Sequence, residues 1–441
     1  MNPLTTPSRP VRLMILDPGH FHAALVLNTM YPQVAPLVHV FAPDGPELQD
    51  FLSRVEGFNR RTENPTSWQL EVHRGPDFLQ RMVEEKPGNV MVTAGNNRRK
   101  TEYVKAAVEA GIHVLADKPL CIDGRGAESL NAAFVAAQRN DVLLYDIMTE
   151  RHEIATLLQR ALVNLQALFG TLQKGSSDNP SVIKESVHHL CKSVSGKPLR
   201  RPAWYFDVSQ QGEGIVDVST HLVDLVMWEC FPDQPISIQT DVQMLKARRW
   251  PTPLNRDQFE KVTGSPTFPD FLHDKLDQNG LLPYYCNGVM TYCVRGIHAK
   301  VSVIWNFEAP PGGGDTHYSI IKGTKASVVI EQGPDQGFRP ALFVEPGRDV
   351  SLEALGERLT AALQELNLVY PGLQAEKSSG RWQVLIPDTY HVGHEAHFGQ
   401  VAEKFLQYLS QSSLPSWEVP NMIAKYFTTT RALELARENA Y

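Results

Sequence analysis

Through its first 150 residues the chain repeats one unit: a short apolar run, a turn, then a stretch with apolar residues three and four apart. The runs fall at Leu13 to Leu16, in LVHVFAP (37–43), GNVMVTAGNN (88–97), IHVLADKPL (112–120) and DVLLYDIM (141–148). Runs this short and apolar read as strands, and the helical spacing between them supplies crossovers, so the pattern predicts a parallel, doubly wound sheet. KTEYVKAAVEAG (100–111) is the clearest connecting helix, with Tyr103, Ala106, Ala107 and Val108 inward and Gly111 as its stop. Ligands of such a sheet bind at the carboxyl ends of its strands.

Beyond residue 150 the rhythm changes. ATLLQRALVNLQALFG (155–170) and residues 214–230 read as helices, and strand-like runs dominate between and after them. These are SVIKESVHHL, ISIQTDVQML (236–245), VMTYCVRGIHAKVSVIW and THYSIIKGTKASVVIEQ, with hairpin points at Gly296 and at Gly323-Thr324. The expected division is a polar leader (1–10), a parallel-sheet domain (11–150) and an α+β domain (151–441) with a large, mostly antiparallel open sheet and a helical tail from about 394.

Composition narrows the function classes. The 441 residues suffice for about two to three domains. Forty-two Lys and Arg against 49 Asp and Glu leave a net charge of −7, which offers no general attraction to nucleic acid or to an anionic membrane. Five scattered cysteines without a C-x-x-C pair indicate neither a zinc knuckle nor a redox dithiol, so free thiols and no metal site are expected. No apolar run approaches the ~20 residues of a membrane span. A cytoplasmic location is the default, with an exported, periplasmic form as the alternative if the Pro/Thr/Ser-rich leader follows a removed signal.

Two motifs carry chemistry. In GEGIVDVSTHLVDLVMWE (212–229), Gly212 and Gly214 permit a tight turn into a helix, and Asp217 and His221, four apart, would share one face. A carboxylate one turn from an imidazole can fix its tautomer and raise its basicity, as a general base needs. Asp224 could join that face. A helix start with a satisfied histidine is the bland alternative. The second motif, Asp117-Lys118-Pro119, ends the strand IHVLA, so Lys118 would point into the ligand crevice and stabilise an alkoxide; a surface lysine is its alternative.

AGNNRRKTEYVKAAVEAGIHVLADKPL followed by GEGIVDVSTHLVDLV resembles the glucose–fructose oxidoreductase/inositol dehydrogenase (Gfo/Idh/MocA) family. The E-K-P motif of that family corresponds to Asp117-Lys118-Pro119, and its glycine-rich D-x-x-x-H helix to Gly212, Gly214, Asp217 and His221. The resemblance implies a Rossmann-type dinucleotide-binding domain followed by an α+β domain whose open sheet forms a homodimer or homotetramer. It implies NAD or NADP as cofactor and a small carbohydrate as substrate. His221 would take the proton of a sugar hydroxyl, Asp217 would orient it, and Lys118 would anchor the same oxygen.

Departures from that family concentrate at the opening turn, where G-x-G-x-x-G is replaced by Asp17-Pro18-Gly19-His20-Phe21-His22. Asp17 would repel a pyrophosphate unless turned away or protonated, whereas His20, His22 and a helix N-terminus would attract it. The T-P-N-x-x-H loop of the family aligns with Gly95-Asn96-Asn97-Arg98-Arg99-Lys100, where Asn97 is retained and expected at the cofactor ribose, Asn96 stands beside it, and Lys100 replaces the histidine. Asp44 is the substitute for the ribose-binding acid expected near Ala42. The cofactor-binding set is therefore Gly19, His20, Phe21, His22, Asp44, Asn96, Asn97, Asp117 and Lys118.

Substrate candidates are His189 (one of the pair His188/His189 facing the crevice), Trp204 and Tyr205 as stacking platforms, and Asp224. The histidines His391, His394 and His397 read as a helix start rather than a metal site, and PGGGDTHY (311–318), with His317, as a hairpin connection. The expected activity is hydride transfer from a secondary hydroxyl of a sugar, sugar derivative or glycoside. Alternatives on the same plan are an NAD-dependent glycosidase working by transient oxidation and elimination, and a non-catalytic sugar-binding relative.

Overall fold

The computed structural model describes residues 10–194 and 197–438, so the expected leader lies almost wholly outside the described residues. The chain divides into two compact units. The first comprises residues up to Thr149, Arg201–Gly212 and Gly393–Tyr426; the second comprises Glu150–Arg200, Glu213–Val392 and the chain from Phe427. The expected boundary at 150 is present, but assigning everything after it to one domain is corrected: two later segments return to the first unit.

In the first unit the chain runs β1 (Leu13–Leu16), α1 (His22–Leu25), β2 (Leu37–Ala42), α2 (Pro46–Arg60), β3 (Gln69–Arg74), α3 (Phe78–Glu85), β4 (Val90–Thr93), α4 (Asn97–Glu109), β5 (His113–Asp117), α5 (Gly124–Arg139) and β6 (Leu144–Ile147). The six strands pair in parallel in the order β3-β2-β1-β4-β5-β6. Strands β1, β4 and β6 are buried along their whole length, as their continuous apolar runs predict. The order reverses between β1 and β4, which places the switch-point crevice between the loops after those strands. Edge strand β3, QLEVHR, was not anticipated; being half polar and at the sheet edge, it lacks the apolar run that marks its neighbours.

The second unit contains α6 (Ile154–Val163), β7 (Val182–Cys191), the short pair β8 (Ser193–Val194) and β9 (Lys197–Pro198), β10 (Val242–Leu254), β11 (Leu282–Val294), β12 (Ile297–Glu308), β13 (Thr316–Lys322), β14 (Ala326–Gln332), β15 (Ala341–Pro346), β16 (Gln374–Ser378) and β17 (Arg381–Leu385). Nine of these strands form a sheet in the order β10-β11-β12-β7-β13-β14-β15-β17-β16, parallel only between β7 and β12. Strand β10 carries Pro251 and Pro253, which its edge position permits. Arg295 and Gly296, both at positive φ, make the predicted hairpin turn between β11 and β12.

Three expectations shift in detail. The helix expected over 155–170 breaks after Val163 and resumes for Gln166–Phe169, ending at Gly170 with φ of 78°. The run 236–245 is not a strand throughout, because Asp241 N–H closes a turn on the Ser237 carbonyl and pairing starts at Val242. The helix expected over 214–230 begins only at Ser219.

Helices cover one face of the large sheet, and a buried polar network ties them to it. Lys184 on β7 donates to Glu229 at 2.8 Å, Ser319 at 2.8 Å and Gln159 at 3.3 Å. Such a network persists only because nearly every member is satisfied.

Candidate functional site

In the first unit the crevice is built from the β1–α1 turn, the β4–α4 loop, the tip of β5 and the returning segment 201–212. Asp17 takes a positive φ of 47°, and its N–H donates to the Phe41 carbonyl. Its carboxylate accepts the Tyr103 hydroxyl at 2.7 Å and is held above its ordinary pKa by burial, against that hydrogen bond. The carboxylate at the head of the turn is thus directed into α4. The His20 N–H donates to the Ala94 carbonyl at 2.9 Å, which ties the turn to the end of β4. Gly95 must be glycine, since a Cβ there would lie 2.5 Å from the Asp17 carbonyl oxygen.

The imidazoles differ in their partners. His22 meets the Asp117 carboxylate at 2.9 Å through Nδ1, whereas Nδ1 of His20 is buried without a hydrogen-bond partner among the described residues. Burial, reinforced by neighbouring positive groups, holds both well below the ordinary histidine range, so both are neutral at pH 7. Helix α1 is a single turn, so the helix N-terminus expected to favour an anion is much weaker than predicted.

Lys100 is the residue that sequence reasoning noticed but did not place. Its ammonium is buried and donates to Asn97 Oδ1 at 2.6 Å, the Asp117 carbonyl at 2.8 Å and the Pro119 carbonyl at 3.2 Å. It clamps the bend that carries Lys118, whose bond to Pro119 is cis. Asn97 is not available to a ribose: its Nδ2 donates to the Gln211 carbonyl at 2.7 Å and its Oδ1 receives Lys100. Asn96 caps α4 and donates to Gln210 at 2.7 Å. Asp44, just beyond β2, is exposed and pairs with Arg74 at 2.6 Å.

Trp204 and Tyr205 both belong to the first unit and pack on its opening turn, Trp204 half-buried and Tyr205 buried. Trp204 lies against Gly19. The buried Tyr205 ring lies nearly parallel to His20 with centroids 6.4 Å apart, and the Arg201 guanidinium sits 4.4 Å from its centroid. Tyr205 is therefore buried in the first unit rather than presented as an open platform.

In the second unit, Glu213 anchors the glycine-rich turn. Its buried carboxylate accepts from Arg249 at 3.0 Å and from Arg437 at 2.8 Å. Gly214 N–H donates to the Tyr285 carbonyl on β11, and a Cβ on Gly214 would lie 1.7 Å from the Cys286 carbonyl oxygen. Asp217 stands in this turn, before the helix, with its N–H on the Glu213 carbonyl at 3.1 Å; His221 is the third residue of the helix Ser219–Cys230. The expectation of one shared helix face is thereby corrected: both are buried and close in sequence, but a turn rather than a helical repeat separates them.

Asp224 is also reassigned. Both its oxygens are taken by Arg151, at 2.6 and 2.7 Å, in a buried bidentate pair that fixes the helix rather than a substrate. His189 uses its ring and its N–H on Asp315, at 3.0 and 3.1 Å, so it too is committed. Asp315 comes from the loop read as a plain connection; burial opposes its ionisation, but His188 and Lys192 outweigh that and hold it far below the carboxylate range. His317 is pushed down to about 3 by burial.

The family described as "Putative oxidoreductase C terminal domain" matches residues 158–437. A solved "putative oxidoreductase" from Parabacteroides merdae is 52% identical, covering 99% of this chain and 99% of that one, with a TM-score of 0.96. The chain belongs to the Gfo/Idh/MocA oxidoreductase family. More distant structures share its fold: levoglucosan dehydrogenase with NADH and levoglucosan (15% identity, 98% of each chain, TM-score 0.61) and GenD2 from gentamicin A biosynthesis with NAD (14%, 98% and 96%, 0.60). No curated protein sequence matches. Within the family plan, Lys118 at the tip of β5 and Asp217 and His221 around the start of their helix occupy the motif positions, while the opening turn and Lys100 are this chain's departures.

Proposed function

We propose that the chain oxidises a secondary hydroxyl of a sugar, sugar derivative or glycoside, passing hydride to NAD or NADP. The observation that carries the dinucleotide is Asp17. Its carboxylate turns to Tyr103, whose hydroxyl it accepts at 2.7 Å, so it is directed into α4 rather than left open to a pyrophosphate. Gly19 itself adds no side chain to the turn, and the His22 N–H, first in α1, has no intrahelical acceptor. Asp44 and Arg74 stand beyond β2 and at the end of β3, where a ribose hydroxyl or a ribose phosphate would choose between them. NADH in levoglucosan dehydrogenase and NAD in GenD2 support the same reading.

The bound nicotinamide supplies the hydride acceptor. His221 accepts the hydroxyl proton, Asp217 orients it, and Lys118 hydrogen-bonds the oxygen as negative charge develops there. Lys100 holds the Lys118 backbone in place, and Glu213 holds that of Asp217.

Fluorescence titration with NADH and NADPH, followed by turnover on a sugar panel, tests this. The expected result is binding of at least one nucleotide and a loss of about 100-fold or more in turnover for His221→Ala. Absence of binding at millimolar nucleotide, or turnover within about tenfold of wild type in that variant, overturns it.

A further inference from the structure

Two histidines of the opening turn and a carboxylate 95 residues beyond His22 meet at the carboxyl ends of β1 and β5. One ligand atom from each of His20, His22 and Asp117 lies within 4.8 Å of the other two. The rings of His20 and His22 are edge-on with centroids 4.1 Å apart, and His22 Nδ1 lies 2.9 Å from Asp117 Oδ2. Nδ1 of His20 is buried with no hydrogen-bond partner among the described residues, a situation that folded proteins avoid unless something else meets the group.

We propose that His20, His22 and Asp117 bind one divalent transition-metal ion. The site goes beyond the dinucleotide reading and does not depend on it. Two imidazoles and one carboxylate suit Zn2+, Co2+ or Fe2+, whereas Mg2+ and Ca2+ prefer oxygen alone. The three donors come from one compact unit, and three protein ligands leave an open position on the ion. Lys118 and Arg201 bring positive charge close to the histidines, so an anionic occupant such as hydroxide or a carboxylate is favoured at that position. His394 flanks the site, its ring centroid 6.0 Å from that of His22.

A second cluster, His39, Glu71 and His73, also brings three donors together, but it has no buried ring nitrogen without a partner to match that of His20, and its carboxylate is exposed. His73 Nε2 lies 3.2 Å from His39 Nδ1, and Arg81 lies 3.2 Å from His73 Nδ1. It serves as the control.

The test uses the full-length protein, stripped with a chelator and titrated with CoCl2, read by visible absorption and by metal content after dialysis. The expected result is one Co2+ per chain, displaced by Zn2+. Affinity falls by about tenfold or more in His20→Gln, His22→Gln and Asp117→Asn and is unchanged in His39→Gln, among variants with native circular dichroism. No Co2+ binding at about 0.1 mM overturns the proposal, as does binding lost in His39→Gln but kept in every folded variant of the three ligands. The readout needs no turnover, so failure of the dehydrogenase reading leaves the outcome separately visible.

Discussion

Two turns carry the proposed chemistry of this protein, and they are held with different emphasis. The Glu213–Asp217 turn is set by backbone against backbone: Gly214 lies so close to the Cys286 carbonyl that no Cβ fits, and Gly288 of β11 likewise leaves no room for one against Ile215. The Asp17–His22 turn is also tied by its backbone to Phe41 and Ala94, but side chains drawn from elsewhere complete it, Tyr103 on Asp17 and Asp117 on His22. A Cβ on Gly19 would meet Gly95 and Trp204 only at 3.4 Å, the edge of ordinary contact, and the residue has no positive φ to require glycine. Backbone packing therefore dictates glycine inside the Glu213–Asp217 turn at Gly214, whereas at the opening turn it dictates glycine in the facing loop, at Gly95, and leaves Gly19 itself freer to change.

Three substitutions would break or sharpen that contrast. Gly214→Ala carries the largest expected cost in stability, about 3–5 kcal/mol, because strand β11 would have to move; thermal or urea denaturation measures it. Lys100→Met comes next at about 3 kcal/mol, since it strands the Asp117 and Pro119 carbonyls and Asn97 Oδ1 without their donor. It should also lower turnover more than it weakens substrate binding, because the bend it supports carries Lys118. Gly19→Ala is smallest in stability, below about 1 kcal/mol, yet should weaken NADH binding measurably if the bare backbone there faces a phosphate. A Gly19→Ala protein as unstable as Gly214→Ala would dissolve the contrast. A stable one with unchanged NADH affinity would remove the turn from the cofactor site.

The parallel sheet was legible because buried strands and crossover helices write their periodicities directly into the chain, and β1, β2, β4, β5 and β6 all fall where the apolar runs stand. Edge strand β3 was not, since a half-exposed strand has no such run. Lys118, Asp217 and His221, the residues proposed for catalysis, stand out in the sequence because a strand end and a glycine turn leave fixed short motifs around them. Asp224, His189, Asn97 and Tyr205 were misread for a common reason: each has the chemistry of a ligand contact, but a distant partner already uses it. Arg151, Asp315, Gln211 with Lys100, and Arg201 are those partners.

The sequence by itself therefore determined the family plan, the order of its two sheet types and the positions of its motif residues, all of which rest on short-range pattern. Only the tertiary structure decided which polar groups remain open to chemistry. It returned 201–212 and 393–426 to the first unit, turned Asp17 toward Tyr103, and brought Asp117 to the two histidines. A side chain's availability depends on what folding places beside it, and residues tens to hundreds of positions away leave no local trace of that.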